Sequence, residues 1–514
     1  MFGENAKMVS DNTGRIKTTD LLLLGLILAV FAAWTFLLPP IWNHGEAREG
    51  LVVQDIVRSH HWILPYRNGE VPSKPPLFHW IAAPLAFLFG PSDFTVRLPS
   101  VIAVEVMAIT TFLLGMAMGG RKTAWLAVGA LLGMYQFWVS GTEARVDMLF
   151  AACVTVSIAG FFFWYRDTRE AARATCYLAS ACAVLAKGPV GIALPGLVIV
   201  GFLAVERRLP LLWKFVSWPL IGVALFIDLG WYALAYHIGG SQFIAWQIMH
   251  ENIDQLFGTH GFSSNKTTLS MLGWIPTRTF PWNLALLWGL IRRLRGERED
   301  STGRFLHVWW IAITAFFFLV NIKRAVYLLP TYPAIALLAA RAIAGAIASA
   351  ESSREDSMQK IPAAAAAMDR ILRSPKRLAI AVALLDLALI LPNPMVWKRA
   401  GSYKATVAFV EEIGAIVPTS SPLFAAPELR SPNLMIIAYR LQRVIERRPI
   451  TCAGPNDYFL SPLKSPDLAG VQTRLLAASE DNNVALVTVL APQEQPCPSA
   501  APAVDEEEES ADSD

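Results

Sequence analysis

Charged residues are rare in this chain, and the ones that could do chemistry lie in a few short segments. These segments are residues 44–50, Lys74, residues 143–147, Lys187 and residues 323–324. Cations at a membrane interface can bind the phosphate of an anionic lipid such as a polyprenyl-phosphate sugar, and they can stabilise that phosphate as it leaves. A neighbouring carboxylate can take the proton from an acceptor hydroxyl. These residue types therefore suit transfer of a sugar from a lipid phosphate.

The elements that position these segments are predicted to be membrane helices. The 514 residues are 54% hydrophobic and only 17% charged, whereas an average soluble protein has about 25% charged residues. This composition excludes an ordinary soluble enzyme. Stretches near the roughly 20 residues that cross a bilayer predict about 11 transmembrane helices. They lie at about 21–40, 97–118, 124–141, 147–164, 174–186, 188–205, 215–236, 271–291, 305–320, 325–343 and 378–395.

The distribution of basic residues predicts how the chain is oriented. Alternate loops, beginning with residues 1–20, carry more than twice as many lysines and arginines as the opposite set. By the positive-inside rule, the first set and the N-terminus are cytoplasmic. The long loops 41–95 and 237–270 then face outward. The short apolar segment 76–90, which contains Pro84, is predicted to lie along the outer interface.

The pattern changes after residue 395 from long apolar runs to a mixture. Helical spacing at 405–417 and 433–447 and a buried strand at 484–490 predict a small α/β domain outside the membrane. The fold class is thus mainly α and polytopic, with this domain at its C-terminal end. The predicted organisation is a cytoplasmic N-terminus at 1–20, a transmembrane domain at 21–395, the periplasmic α/β domain at 396–491 and a disordered acidic tail at 492–514.

Six short motifs follow one another in the regions between and beside the apolar segments. They are Gly45-Glu46-Ala47-Arg48, Lys74-Pro75-Pro76-Leu77, Arg97-Leu98-Pro99-Ser100, Ala144-Arg145-Val146-Asp147, Lys187-Gly188-Pro189, and Lys323-Arg324 followed by Tyr327-Leu328-Leu329-Pro330. In this order they resemble the motifs of glycosyltransferase family 39-like membrane enzymes, which are bacterial relatives of the dolichyl-phosphate-mannose protein mannosyltransferases and of the lipid A 4-amino-4-deoxy-L-arabinose transferase. The resemblance covers residues 42–335. It implies a GT-C fold, a polyprenyl-phosphate donor and transfer at the periplasmic face of the bacterial inner membrane.

The resemblance also implies roles for individual residues. Glu46 and Asp147 would belong to the catalytic acidic motifs. The residues that would bind the donor phosphate or other parts of the substrate are Arg48, Lys74, Arg145, Lys187, Glu251, Lys323, Arg324 and Tyr327. The expected partners are the sugar donor, a lipid A, glycan or protein acceptor, and membrane lipids. No nucleic-acid partner is expected.

The chain departs from the family pattern at two places. The family commonly has Asp-Glu where this chain has Gly45-Glu46. Either Glu46 serves as the base, or none is needed because a phosphate or carboxylate acceptor is already an anion. Metal ligands of some relatives are replaced here by Ser73 and Asn252. The sequence therefore predicts no metal and no other cofactor.

Two other functions are compatible with a cation-lined lipid groove. One is a transporter or flippase of a lipid-linked sugar, although such proteins usually have internal repeats and broken helices at mid-membrane, and neither is evident in this sequence. The other is a ligase that transfers a whole glycan from a pyrophosphate carrier, which would require cations for two phosphates. Glycosyl transfer of a single sugar remains the primary hypothesis.

Overall fold

The computed structural model describes residues 16–254, 268–294, 299–320, 323–355, 403–463, 471–480 and 483–491. Contacts divide the chain into two units. The first comprises Met1–Phe36, Leu98–Leu234 and Met249–Asn393, and the second comprises Leu37–Arg97, Ala235–Ile248 and Pro394–Asp514. The described residues are mainly helical, with one small sheet near the C-terminus. The predicted fold class is therefore confirmed.

Sixteen α-helices follow one another through the described ranges. They are α1 (Thr18–Leu37), α2 (His44–Ser59), α3 (Leu77–Phe89), α4 (Asp93–Leu132), α5 (Tyr135–Thr142), α6 (Val146–Asp167), α7 (Glu170–Lys187), α8 (Val190–Val205), α9 (Leu211–Phe215), α10 (Trp218–Phe243), α11 (Thr268–Arg278), α12 (Trp282–Leu294), α13 (Ser301–Leu319), α14 (Tyr332–Glu355), α15 (Tyr403–Ile416) and α16 (Ser431–Leu441). A π-helix spans Ile244–Asp254, and 3₁₀ helices span Ala325–Thr331 and Ile450–Cys452.

Six helical segments among the described residues are long and apolar enough to cross a membrane. They are Thr18–Leu37, Asp93–Leu132, Val146–Asp167, Trp218–Met249, Ser301–Leu319 and Ala325–Ile347. The predicted count of eleven is not confirmed. One predicted span, 378–395, lies outside the described residues. The predicted break between 97–118 and 124–141 is present at Gly120, where the backbone is non-helical at φ 76°. The second of these spans is itself divided, because α4 ends at Leu132 and α5 begins at Tyr135.

The first unit packs through close helix contacts. Gly160 of α6 lies against α7, where a Cβ would come within 2.7 Å of the carbonyl oxygen of Ala172. The absence of a side chain therefore allows the two backbones to approach, as small residues do in membrane helix pairs. Beside it, Phe161 meets Phe215 edge to face, with ring centroids 5.3 Å apart. These contacts pack the C-terminal part of α6 against the N-terminal part of α7 and against α9.

The second unit contains α2, α3 and the sheet. Its strands are β1 (Leu423–Ala425), β2 (Glu446–Arg447), β3 (Tyr458–Pro462), β4 (Gln472–Ser479) and β5 (Val484–Ala491). Their order is β2-β1-β3-β5-β4. Strand β1 runs parallel to β2 and β3, and β5 runs antiparallel to β3 and β4. The strand predicted at 484–490 is confirmed as β5.

The helix predicted at 433–447 is too long. Helix α16 ends at Leu441, because Gln442 adopts the left-handed conformation at φ 54° and its N–H donates to carbonyls of the last turn. The chain then reverses and residues 446–447 form β2. The apolar spacing continues through this turn, so the sequence pattern predicts one longer helix. The helix predicted at 405–417 agrees closely with α15.

Candidate active site

An asparagine and a glutamate begin helix α2. The Asn43 Oδ1 accepts a hydrogen bond from the Glu46 N–H at 2.8 Å, and the Asn43 Nδ2 donates to the Glu46 Oε2 at 2.7 Å. This reciprocal cap satisfies a backbone donor that the helix itself leaves unpaired. It also places the Glu46 carboxylate in the first turn, where the helix dipole favours an anion.

Arg97 from the first turn of α4 binds both oxygens of the Glu46 carboxylate. Its Nε lies 2.7 Å from Oε1 and its Nη2 lies 3.0 Å from Oε2. The remaining nitrogen, Nη1, donates to the Pro39 carbonyl at 3.1 Å. Both side chains are buried. Bidentate Arg–carboxylate pairs of this kind are directional and strong. Glu46 thus lies at the centre of a closed hydrogen-bonded group.

A second buried carboxylate, Glu49, lies one turn further along α2. Its Oε1 accepts from the Arg48 Nε and Nη2, both at 3.1 Å, and its Oε2 lies 2.8 Å from the His79 Nε2 of α3. Burial acts to raise the pKa of Glu49, but the charge of Arg48 and the hydrogen bond with His79 lower that pKa to about 2. Glu49 is therefore ionised at neutral pH and orients the guanidinium of Arg48.

Lys74 lies in the same unit, in the loop that leads into α3. Its side chain is half-buried, and Ser73 beside it is buried. The backbone of this loop is held by the Gln247 Nε2, which donates to the Pro72 carbonyl at 2.6 Å. The second unit thus fixes the segment that carries Lys74.

In the first unit, a carboxylate lies among cations where α6 begins and α7 ends. Asp147 is in the first turn of α6, and Lys187 is the last residue of α7. Their side chains form a short ion pair. The Arg145 Nε lies 3.9 Å from the Asp147 Oδ2, so a second cation approaches the same carboxylate. Two cations thus approach one carboxylate, an arrangement that suits an anionic ligand.

The 3₁₀ helix Ala325–Thr331 contributes an aromatic ring to this group. The Nζ of Lys187 lies 4.3 Å from the ring centroid of Tyr327, which is a cation–π distance. The helix follows Arg324, which is its N-cap residue. Its far end is held by the Trp309 Nε1, which donates to the Pro330 carbonyl at 2.9 Å. We call Arg145, Asp147, Lys187 and Tyr327 the Asp147 cluster.

The structure also shows where the remaining predicted residues lie. The Nζ of Lys323 donates to the carbonyl oxygen of Phe318 at 3.1 Å and contacts that of Val320, and the residue is buried. Lys323 therefore binds the chain that precedes it. Glu251 falls in the π-helix Ile244–Asp254, but its side chain is outside the described residues.

The predicted residues therefore divide between the two units. Glu46, Arg48 and Lys74 belong to the second unit, and the Asp147 cluster belongs to the first. Sequence reasoning did not single out Glu49 or His79. The available signal was the three-residue spacing of Glu46 and Glu49, which places both on one side of a helix. His79 gave no such signal.

Within the described residues, no group of three or more His, Cys, Asp or Glu side chains is arranged to hold a metal ion. The predicted absence of a cofactor rests on the sequence departures at Ser73 and Asn252 and stays a prediction.

The part of the chain that carries several of these motifs is similar to known proteins. Residues 73–231 match the family model described as dolichyl-phosphate-mannose-protein mannosyltransferase. That range includes Lys74, Asp147 and Lys187. The predicted family resemblance is confirmed.

An ArnT crystal structure from Cupriavidus metallidurans, bound to undecaprenyl phosphate, aligns with a TM-score of 0.73 at 19% identity, over 93% of this chain and 100% of that chain. The chain therefore shares the ArnT fold.

Two sequence relatives carry the same name. The undecaprenyl phosphate-alpha-4-amino-4-deoxy-L-arabinose arabinosyl transferase of Shewanella sediminis is 29% identical over 332 residues, covering 63% of this chain and 60% of the relative. The transferase of the same name from Pectobacterium carotovorum is 27% identical over 390 residues, covering 72% and 66%. The chain thus matches a little under two thirds of the length of these relatives. The six apolar helical segments of this chain indicate a multi-pass membrane protein.

Proposed function

We propose that this protein transfers one sugar from a polyprenyl-phosphate carrier to an acceptor at the periplasmic face of the bacterial inner membrane. The observation that supports this most strongly is the Asp147 cluster, in which Lys187 and Arg145 flank a single carboxylate inside the region that matches the family model. The names of the relatives support undecaprenyl phosphate as the carrier and 4-amino-4-deoxy-L-arabinose as the first sugar to test.

The proposed reaction places the cations at the leaving group. The bond between the anomeric carbon and the phosphate oxygen breaks, and its electron pair remains on that oxygen. The acceptor oxygen forms the new bond to the anomeric carbon, and polyprenyl phosphate is released. Lys187, Arg145 and Arg324 would stabilise the growing negative charge on the phosphate, which is where preorganised cations accelerate a reaction most.

We further propose that the acceptor oxygen is already ionised. Both oxygens of Glu46 are bound by Arg97, and Oε2 is bound by Asn43 as well. A carboxylate that is stabilised in this way is a weak base, because protonating it would break charge-assisted hydrogen bonds. A phosphate or carboxylate acceptor avoids the need for deprotonation. Glu46 would then organise α2, and Glu49 would orient Arg48 toward the substrate.

Mass spectrometry of the reaction product tests the transferase activity. Purified full-length protein is given undecaprenyl phosphate carrying the amino sugar, together with a phosphorylated lipid acceptor or a matched acceptor that bears only hydroxyl groups. A product heavier by one sugar, formed on the phosphorylated lipid, is the expected result. Translocation of the donor in liposomes without any new glycosidic bond would instead identify a transporter, and a product carrying a whole glycan would identify a ligase.

A pair of variants tests the assignment to the Asp147 cluster. Lys187→Met removes the cation but keeps most of the side-chain length, and we expect it to lower kcat/KM by about a hundredfold, as loss of one charge-stabilising group does. The matched control is Lys214→Met in α9, where the lysine is exposed in the same unit. Equal activity of the two variants would remove Lys187 from the site.

A further inference from the structure

In the C-terminal part of the chain, which is the described sequence from residue 403 onward, helix α16 lies directly against α2. Gly50 faces the ring of Tyr439, and a Cβ at Gly50 would overlap that ring. One turn further along α2, the Gln54 Nε2 donates to the Tyr439 carbonyl at 3.0 Å. Tyr439 is buried. The side chain and backbone of one residue thus fix α16 along the helix that carries Glu46 and Arg48.

Tyr439 and its neighbour also bind a carboxylate at the start of α4. The Tyr439 hydroxyl donates to the Asp93 Oδ1 at 2.8 Å, and the Arg440 Nη1 donates to the Asp93 Oδ2 at 3.1 Å. Burial, followed by the nearby Asp93 carboxylate, raises the pKa of Tyr439 well above its usual value. The hydroxyl is therefore a permanent donor to Asp93.

Asp93 links this contact to the segment that precedes α2. Its Oδ2 accepts from the Ile41 N–H at 3.0 Å. One helical turn later, Arg97 binds the Pro39 carbonyl and the carboxylate of Glu46. The segment 39–46 is thus held at three points by the first turn of α4, and α16 holds that turn through Asp93.

A second contact joins the same C-terminal part to residues 41–95, which we call the first loop. The Asn68 Nδ2 donates to the Ile445 carbonyl at 2.9 Å, and the Ile445 N–H donates to the Asn68 Oδ1 at 2.8 Å. Asn68 is buried, and it lies six residues before Lys74. The side chain of Asn68 therefore pairs with the backbone that follows α16 much as a neighbouring strand would, and it restrains the loop that leads to Lys74.

We infer that α16 is a positioning element for the first loop, with Tyr439 and Arg440 holding Asp93 so that Glu46 and Arg48 keep their places. The C-terminal part then contributes to donor binding without touching the donor. This consequence for binding rests on the proposed function, whereas the restraint on α2 does not. Loss of the restraint would weaken donor binding more than turnover, because the cations of the Asp147 cluster are unchanged.

The test uses conservative variants of the full-length protein in detergent. Tyr439→Phe removes one hydroxyl and keeps the ring over Gly50, and Arg440→Gln removes the second donor to Asp93. The matched control is Tyr458→Phe in β3, which makes the same change in the same C-terminal part. Two measurements are made for each protein: hydrogen–deuterium exchange of the amides in residues 44–50, and KM and kcat with undecaprenyl phosphate carrying the amino sugar.

We expect Tyr439→Phe and Arg440→Gln each to speed exchange in residues 44–50 and to raise KM by about fivefold, with kcat within about twofold, since a hydrogen bond to a charged group is lost. Tyr458→Phe should change neither quantity. Unchanged exchange in both Tyr439→Phe and Arg440→Gln would overturn the inference. If the wild-type protein consumes no donor while exchange still rises, the positioning role stands and the transferase proposal fails.

Discussion

Two clusters of the same residue types differ in how cations are arranged around their carboxylates. On α2, Glu46 binds Arg97 and Glu49 binds Arg48, and Asn43 and His79 form further hydrogen bonds with these carboxylates. In the Asp147 cluster, Lys187 and Arg145 both approach one carboxylate. A carboxylate saturated by its own partners stabilises its helix, whereas two cations at one carboxylate can also bind an anion. The predictions below test this difference.

The largest expected effect is on stability at Arg97. Replacing one partner of a buried ion pair leaves an uncompensated charge, which typically costs about 3–5 kcal/mol. Arg97→Met should therefore lower the free energy of unfolding strongly, and the double variant Arg97→Met with Glu46→Gln should recover part of that loss. Thermal unfolding in detergent would measure both. If the double variant is no more stable than the single one, Glu46 is not held mainly by Arg97.

The next effect is a pH dependence that arises at Glu49. The pKa of its carboxyl is depressed to about 2 in the folded protein, so its stabilising contribution is present above its unfolded pKa near 4.5 and is lost as the pH falls through about 2. Glu49→Gln should thus destabilise the protein by about 3 kcal/mol at pH 7. At pH 3 the difference from wild type should be smaller. A constant difference across this range would contradict the ionised state of Glu49.

A smaller effect is expected from the cap of α2. Asn43→Ala removes both the acceptor for the Glu46 N–H and the donor to its carboxylate, and loss of an N-cap costs about 1 kcal/mol. Asn43→Asp keeps the acceptor but places a second negative charge beside Glu46. The melting temperature should therefore fall in both variants, and Asn43→Ser should lie closest to wild type. Equal melting temperatures for all three variants and wild type would show that the cap contributes nothing.

The smallest effect is expected in the Asp147 cluster at Tyr327. Its ring lies 4.3 Å from the Lys187 Nζ, and an interaction of this kind is worth roughly 0.5–1 kcal/mol at a partly exposed site. Tyr327→Leu should raise KM for the donor by about threefold, while Tyr327→Phe keeps the ring and should match wild type. A large loss with Phe would show instead that the phenolic hydroxyl contacts the substrate.

Much of the fold could be predicted from apolar patterning, because a membrane span needs a long continuous run of apolar residues. The helix α6 and the strand β5 lie close to their predicted positions for this reason. The break at Gly120 falls in the polar stretch between the predicted spans 97–118 and 124–141, whereas the end of α16 at Gln442 could not be predicted. There, one residue in a left-handed conformation ends a helix inside a run whose apolar spacing continues.

The sequence could propose the residues of the candidate site, but it could not predict their contacts. Glu46 and Asp147 stand in equivalent acidic motifs, and nothing in their spacing distinguishes them. The distinction arises from partners distant in sequence, since Arg97 is 51 residues from Glu46 and Lys187 is 40 residues from Asp147. His79 was not expected to take part, because its contact with Glu49 depends on the packing of α3 against α2.

The sequence by itself determined that this chain is a polytopic membrane protein, and its ordered motifs determined the family resemblance. Composition and apolar run length are sufficient for the first, because the bilayer imposes them on any spanning helix. Only the tertiary structure decided which carboxylates are saturated by hydrogen bonds, and that α16 contacts the helix bearing Glu46. Those facts depend on distances between residues far apart in the chain, and side-chain hydrogen bonds and ion pairs act only over a few ångströms.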